Sequence, residues 1–281
     1  MIAIISDIHG NYPALEAVLN DMPKVNRIFA LGDLIGELPF PCEVLDSLMD
    51  IGAVIIKGNR EEDLIKLLNG ELDQWKTTNQ FGTFIWTLNK LSKKHIEMIS
   101  SFPLTLTYNL GGYSFLLAHG SPVKTRETLV YFESVKPYLD AINESVLAVG
   151  HTHLLRNFNH NDKIFISSGS VGISLDGIPE VATYALFDEE SNKVYFRYVN
   201  YDVDLVEREM IKRGLNDSSP AIAEAVRLEL RTGIHHMLSL VKFSQDLMLK
   251  KTGKKELFIP DEIWREAEIL WDRSPFVFNR K

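Results

Sequence analysis

The chain has 281 residues, of which 45% are hydrophobic and 24% are charged, and its formal net charge is −8. This length can bury a large core, in one large domain or in two smaller ones. The acidic balance argues against a protein that coats nucleic acid non-specifically, because such proteins present a basic surface. The single cysteine, Cys42, excludes an internal disulfide and any metal site built from several cysteines of one chain.

No apolar run of the sequence approaches about 18 residues, the length typical of a transmembrane helix. The N-terminus reaches Asp7 without a basic segment followed by a long apolar one, so we expect no signal peptide. A lone cysteine also agrees with a reducing compartment. We therefore expect a cytoplasmic protein that does not associate with membranes.

The first part of the chain alternates strand and helix patterns. Short apolar runs rich in β-branched residues at 2–6, 27–31 and 53–57 predict buried strands. A loop and a helical pattern follow each run, and Pro13 stands near the start of the first helix. This spacing favours parallel β-α units and an α/β fold.

The second part has strand patterns with few helical spacers, which predicts a second, partly antiparallel sheet. These patterns lie at 104–110, 113–119, 146–151, 163–169, 182–188 and 193–199. From about Asp202 the pattern becomes helical again. The run "MLSLVKFSQDLML" predicts an amphipathic helix whose apolar stripe packs on the body or on a second subunit.

Aspartate, asparagine and histidine residues follow five of the predicted strands, each with a glycine within a few positions. These residues are Asp7, His9, Asp33, Asn59, His119, His151 and His153. Ligands of open α/β sheets bind at the carboxyl ends of the strands, where glycine lets the backbone approach closely. A mixed carboxylate and imidazole set suits manganese, iron or zinc. Seven ligands are too many for one metal ion but suit two, if one carboxylate bridges them.

Two other interpretations of the "GHTH" segment are open at this point. His151 and His153 can be polar residues whose hydrogen bonds are satisfied at a strand end, or surface histidines on a turn. The five-loop pattern favours the metal-site interpretation over both.

The fragments "DIH", "GD", "GN", "AHG" and "GHTH", in this order, resemble the calcineurin-like metallophosphoesterase superfamily. The stretch "GDLIGELPFPCEVLD" is similar to the bacterial and archaeal phosphodiesterase-like branch of that superfamily. The resemblance implies a four-layer α/β/β/α sandwich of two mixed sheets with extra C-terminal helices. We expect residues 1–204 to form the metallophosphoesterase domain and residues 205–281 a helical extension packed on that domain or on a partner subunit.

The resemblance also implies a dinuclear phosphoesterase that hydrolyses phosphate mono- or diesters by attack of a metal-bound hydroxide. It places Asp7, His9 and His153 on the first metal, Asn59, His119 and His151 on the second, and Asp33 as the bridge. The implied cofactors are two divalent transition-metal ions, and the implied partner is a small phosphoester or nucleotide. The alternative is a metal-binding, non-catalytic interaction module of the same fold. A homo-oligomer formed through the C-terminal helices is a further expectation.

Arg60 departs from the family pattern, in which a histidine usually follows the asparagine. Arginine stays protonated and cannot act as a general acid, but its guanidinium can bind phosphate oxygens and neutralise developing charge. The alternative is that Arg60 pairs with Glu61 or Glu62 at a helix start. Asn11 lies close enough to "DIHG" to contact phosphate, so we include it as a candidate substrate-binding residue.

The remaining candidates are expected to be structural. Cys42 is predicted to be a buried small residue rather than a nucleophile. Four histidines lie outside the pattern and are expected on the surface or in packing: His95, His160, His235 and His236. Core packing is also expected of four aromatic residues in the loop and helix between "GNRE" and "AHG". These are Trp75, Phe81, Phe84 and Trp86. The alternative is that this segment covers the site and selects the substrate.

Overall fold

The structure is a computed structural model, and it describes residues 1–276. Within these residues the strands form two five-stranded sheets. The strands are β1 (Ile2–Ile5), β2 (Arg27–Ala30), β3 (Val54–Ile55), β4 (Thr105–Leu110), β5 (Tyr113–Ala118), β6 (Val146–Val149), β7 (Leu155–His160), β8 (Lys163–Ser168), β9 (Val181–Asp188) and β10 (Lys193–Asn200).

Helices flank the sheets and form the C-terminal part of the chain. They are α1 (Tyr12–Asp21), α2 (Pro41–Asp50), α3 (Asn59–Leu68), α4 (Gly82–Lys90), α5 (Lys93–Ser101), α6 (Phe132–Ala141), α7 (Val203–Lys212), α8 (Leu215–Ser218), α9 (Pro220–Thr232), α10 (Met237–Thr252) and α11 (Asp261–Leu270). Two short 3₁₀ helices, Asp73–Thr77 and Asn79–Phe81, precede α4.

Both sheets mix parallel and antiparallel strands. In the first sheet the order is β10-β9-β1-β2-β3, with β1, β2 and β3 parallel. In the second sheet the order is β4-β5-β6-β8-β7, with β5, β6 and β8 parallel and an antiparallel strand at each edge. The parallel strands of each sheet therefore end at one edge, where loops from different parts of the chain meet.

Two features of the strand prediction were wrong. The strands β9 and β10 had been expected in the second sheet, but β9 pairs antiparallel with β1 and β10 pairs with β9 in the first. The strand β7 was missed because its sequence, LRNFNH, contains few apolar residues. It is an edge strand of its sheet and needs no continuous apolar run.

Three apolar layers confirm the predicted four-layer sandwich. Ile5 and Ala30 of the first sheet pack against α1–α5. Ile4 of the first sheet and Phe115 and Ile166 of the second pack between the sheets. The outer face of the second sheet packs against α6 in a separate cluster. Each sheet thus buries both faces.

The C-terminal helices pack around two fully buried tryptophans, Trp264 and Trp271. Leu38, Ile173 and Leu175, which lie in loops at the carboxyl ends of the strands, belong to the same apolar cluster. The amphipathic α10 packs into this cluster, so its apolar stripe lies on the body of the chain. Across residues 1–276, no helix combines the length and apolar composition needed to cross a membrane.

Candidate metal centre

The loops after five strands meet at one edge of the sandwich. Three of them follow β1, β2 and β3 of the first sheet, and two follow β5 and β6 of the second. The structure brings all seven side chains of the predicted set together in this place, and five of them are buried. The buried five are Asp7, His9, Asp33, Asn59 and His119, while His151 and His153 are partly exposed.

Five of the seven residues adopt a left-handed backbone conformation, with φ between 49° and 66°. They are Asp7, His9, Asp33, His151 and His153. Residues other than glycine rarely adopt this conformation, although aspartate and histidine tolerate it better than most. Strain of this kind persists only where the surrounding structure enforces it, and it concentrates at functional sites.

Two glycines let the loops approach one another. A Cβ atom on Gly58 would lie 2.2 Å from Asp33 Oδ1, and one on Gly150 would lie 2.6 Å from Asp7 Oδ2. Any larger residue at either position would displace a carboxylate of the site. The glycines of "GN" and "GH" are therefore required by close packing.

The first group of possible ligands consists of Asp7, His9 and His153. The Nε2 atoms of His9 and His153 lie 3.1 Å apart. Asp7 Oδ1 lies 3.4 Å from His153 Nε2 and 3.9 Å from His9 Nε2. This buried oxygen accepts no hydrogen bond from any residue that the structure describes. A cation between these atoms would satisfy them.

The second group consists of Asp7, Asp33 and His119. His119 Nε2 lies 3.4 Å from Asp33 Oδ1 and 3.8 Å from Asp7 Oδ1. Asn59 adds an amide 3.2 Å from the same imidazole nitrogen. The ring of His151 lies beside that of His119, with the centroids 5.2 Å apart. Asp7 therefore faces both groups.

Three of the histidine rings are oriented by a second contact. His119 Nδ1 lies 2.7 Å from the carbonyl oxygen of Leu31, and His153 Nδ1 lies 2.6 Å from that of Ile173. His9 Nδ1 lies 2.9 Å from a carboxylate oxygen of Glu37. A proton on Nδ1 leaves the Nε2 lone pair directed into the centre, as a metal ligand requires.

Charges in the centre move the pKa values of two adjacent histidines in opposite directions. Burial lowers the pKa of His119, but the carboxylates of Asp33 and Asp7 outweigh it and raise the value to about 10. Burial and the neighbouring His119 lower the pKa of His151 to about 4. The carboxylates that hold a proton on His119 attract a metal cation for the same electrostatic reason.

The side chain of Arg60 reaches Glu37, which lies in the same loop after β2 as Asp33. Its guanidinium forms an ion pair with Glu37, whose other oxygen faces His9. Burial raises the pKa of Glu37, but Arg60 and His9 outweigh this effect and bring it to about 2. The alternative pairing of Arg60 with Glu61 or Glu62 was wrong. Glu37 was not singled out in the sequence, because a single acid in a loop has no distinctive local pattern.

Glu61 has a role that the sequence analysis missed. Its buried carboxylate accepts hydrogen bonds from the backbone N–H groups of Asp33, Leu34, Ile35 and Gly58, at 2.7–3.2 Å. It stands three residues after Gly58, the N-cap of α3, in a capping-box position. An acid at the third position of a helix is a recognisable signal.

Asn11 uses its side chain within the protein. Its Oδ1 accepts from the N–H of Ala14 at 3.2 Å, which caps α1, and its Nδ2 donates to the carbonyl of Gly172 at 2.9 Å. Asn11 is fully buried. A role in binding substrate stays a prediction, and it would require these bonds to change.

The other candidates contact residues outside the centre. Cys42 is half-buried, and burial together with nearby acids raises the pKa of its thiol, which disfavours a nucleophilic thiolate.

The four histidines outside the predicted set also contact residues outside the centre. His95 contacts Asp46, and His160 contacts Asp140. His235 contacts Glu229, and His236 contacts the carbonyl oxygen of Arg273. In the segment between "GNRE" and "AHG", Trp75 stacks on Phe81 and packs edge-on against Phe84, while Trp86 donates to the carbonyl of Arg213.

Fold and site together define an α/β sandwich with a candidate metal centre where the parallel strands end. Residues 1–192 match the model of the calcineurin-like phosphoesterase superfamily domain. The chain belongs to this superfamily, which confirms the resemblance seen in the sequence.

Individual relatives agree with this assignment. An uncharacterized protein of Methanocaldococcus jannaschii is 30% identical over 236 residues, which are 76% of this chain and 93% of the relative. The crystal structure of a metallophosphoesterase from Sphaerobacter thermophilus is 27% identical with a TM-score of 0.71, covering 83% of this chain and 98% of that chain. The crystal structure of a hypothetical protein from Pyrococcus horikoshii is 22% identical with a TM-score of 0.72. The match covers 84% of this chain and 100% of that chain. The last similarity concerns the fold alone.

Proposed function

We propose that this protein is a dinuclear metal-dependent phosphoesterase that hydrolyses phosphate mono- or diesters. The observation that carries the proposal is the convergence of seven ligand-type side chains from five strand ends. Three imidazole rings direct Nε2 inwards, and a buried carboxylate oxygen has no donor among the described residues. This donor set suits manganese, iron or zinc.

The proposed ligand groups are those that the family resemblance implies. Asp7, His9 and His153 would hold one metal ion, Asn59, His119 and His151 the other, and Asp33 would bridge them. In support of a bridge, Asp33 Oδ1 lies 3.4 Å from His119 Nε2 and Asp33 Oδ2 lies 3.9 Å from His9 Nε2. When bound, two such ions would supply an activated water and positive charge next to the phosphoryl oxygens.

The residues around the ligands would position and stabilise rather than transfer protons. Glu37 holds the ring of His9 and the guanidinium of Arg60 at the same time. Arg60 is always protonated, so it would neutralise negative charge on the transferring phosphoryl group. Glu61 holds the loop that presents Asp33, through its bond to the N–H of that residue. The substrate would be a small phosphoester or nucleotide.

Elemental analysis combined with a substrate screen tests this proposal. The purified protein is loaded with Mn²⁺, Fe²⁺ or Zn²⁺, desalted and analysed for metal content. We expect close to two ions per chain and hydrolysis of aryl phosphate mono- or diesters. Fewer than one ion per chain at saturating metal would contradict the dinuclear centre. Two bound ions without hydrolysis of any phosphoester would favour the non-catalytic interaction module instead.

A further inference from the structure

We propose that Arg126 binds a non-bridging oxygen of the substrate's phosphoryl group, next to Asn59. The inference rests on the proposed phosphoesterase function and adds a substrate-binding residue to it. Arg126 lies in the loop between β5 and α6, the loop that begins with His119. Nothing in the sequence pattern distinguishes this arginine from other surface arginines.

The contacts of Asn59 carry the argument. In one orientation its amide oxygen faces His119 Nε2 at 3.2 Å, together with His151 Nδ1. The amide nitrogen then lies 3.2 Å from Arg126 Nη1. In the reversed orientation the amide nitrogen faces the two imidazole nitrogens and the oxygen accepts from Arg126. The first orientation is the one in which Asn59 can offer its oxygen to a metal ion.

The metal-holding orientation leaves two donors facing each other. The amide nitrogen of Asn59 and Nη1 of Arg126 are then both donors, and the other group that faces this amide nitrogen, the backbone N–H of Arg60, is a donor as well. Two donors that face each other favour an acceptor placed where both can donate to it. An anionic oxygen that accepts from both would remove this conflict. The position adjoins a proposed metal ligand, so a phosphoryl oxygen is the oxygen that a substrate would bring there.

Arg126 is held in place but still accessible. Its Nη2 forms an ion pair with Asp63, whose carboxylate is buried, while about half of the Arg126 side chain is exposed (51%). Arg60 projects to the opposite side of the centre, towards Glu37 and His9. A guanidinium can donate to a carboxylate with one nitrogen and to a phosphate with another. The two arginines therefore flank the proposed metal pair.

Binding of inorganic phosphate to metal-loaded protein tests the role of Arg126. Isothermal titration calorimetry compares the parent with Arg126→Gln and Arg126→Lys, and metal content is measured for each. Arg126→Gln is expected to weaken phosphate binding by about ten-fold or more, the factor for one lost charge-assisted hydrogen bond. The KM for a phosphoester should rise more than kcat falls, with two metal ions retained. The phosphate affinity of Arg126→Lys should lie between those of the parent and Arg126→Gln, because lysine keeps the charge without the forked geometry.

Arg197→Gln is the matched control. Arg197 is also about half exposed (47%) and paired with a carboxylate, that of Asp21, but it lies on β10 away from the centre. We expect the control to bind phosphate as the parent does. Parent-like phosphate binding and KM in Arg126→Gln would overturn the inference while leaving the phosphoesterase intact. A parent that binds two metals but neither binds phosphate nor hydrolyses phosphoesters would overturn the proposed function, and this inference with it.

Discussion

Asp7 and Asp33 face the same space from neighbouring strands, but their oxygens have different partners. Asp33 Oδ1 accepts the N–H of Arg60 at 2.7 Å and also faces His119. Asp7 Oδ2 accepts the N–H of His151 at 2.9 Å, while Oδ1 faces histidines of both groups. Each carboxylate therefore faces histidines of both ligand groups.

We predict that Asp33→Asn abolishes hydrolysis and weakens the binding of both metal ions, because a bridging carboxylate serves both. The comparison variant is Asp7→Asn, which should lose mainly the ion held with His9 and His153. Metal titration of the two variants, with kinetics at saturating metal, measures the difference. Activity of Asp33→Asn within a few-fold of the parent would refute the assignment. Loss of both ions in Asp7→Asn alone would identify Asp7 as the bridge.

Arg60 leads to a prediction about leaving groups. A residue that cannot donate a proton leaves departure of the leaving group to the metal ions. Aryl esters leave as stabilised phenolates, whereas alkyl esters need a proton more. We expect a steep fall in rate from aryl to alkyl phosphoesters, since general acid catalysis is worth on the order of 10²–10⁴-fold. Arg60→His should flatten this dependence.

The measurement is a leaving-group series on the parent, Arg60→His and Arg60→Ala at saturating metal. Arg60→Ala should also weaken phosphate binding, and it removes the partner of Glu37. A parent rate insensitive to leaving-group pKa would show that another residue donates the proton. If the rate depended on leaving-group pKa with the same slope in all three proteins, Arg60 would have no part in the chemical step.

Among the elements, the start of α3 joins two loops of the centre. The carboxylate of Glu61 accepts four backbone N–H groups, three from the loop after β2 and one from Gly58. Burial and the nearby Asp33 raise the pKa of Glu61, while the backbone donors of Gly58 and Ile35 oppose this shift. The side chain therefore fixes the position of Asp33 relative to Asn59, which is the first residue of α3.

Glu61→Gln should destabilise the fold by roughly 1–3 kcal/mol, because an amide NH₂ would face buried donors and leave at least one without an acceptor. Urea unfolding in the presence of a chelator measures this effect without a contribution from metal binding. Glu16→Gln on the exposed face of α1 is the control and should change stability by less than about 0.5 kcal/mol. Equal stability of the two variants would show that the four bonds contribute nothing net.

At the scale of the whole molecule, metal binding should stabilise the fold. Five candidate ligands have a strained backbone conformation, and the buried oxygen of Asp7 has no donor among the described residues. Metal at 100 times its Kd stabilises a folded protein by about 2.7 kcal/mol. Chelator treatment should therefore lower Tm by roughly 5–10 °C for a chain of this size. The fall in Tm on chelator treatment should be smaller for Asp33→Asn than for the parent. If chelation left the Tm of the parent unchanged, the bound metal would not stabilise the fold.

The C-terminal part of the chain, in α11 and in the loop before it, leaves apolar side chains in solvent. Leu257 and Ile269 are nearly four-fifths exposed, at 79% and 78%. Assembly of a homo-oligomer through the C-terminal helices stays a prediction, as does the boundary after residue 204.

Local patterns were enough to predict much of this protein from its sequence. The β-α alternation and the parallel strands follow from short apolar runs separated by turn residues, because strand and helix periodicity is a property of neighbouring residues. The convergence of the seven candidate residues was predicted for the same reason: they stand after strands, and parallel strands bring their carboxyl ends to one edge. The four-layer architecture, implied by the family resemblance, was confirmed by the structure.

Tertiary structure decided the features that depend on residues distant in the sequence. Pairing of β9 with β1 joins residues about 180 positions apart, which no local periodicity encodes. The contacts of Glu37 with His9 and Arg60, and of Arg126 with Asp63, likewise form only when the loops meet. Charged side chains in loops find their partners through the packing of the sheets beneath them, so the sequence alone named the candidate ligands but not the residues that contact them.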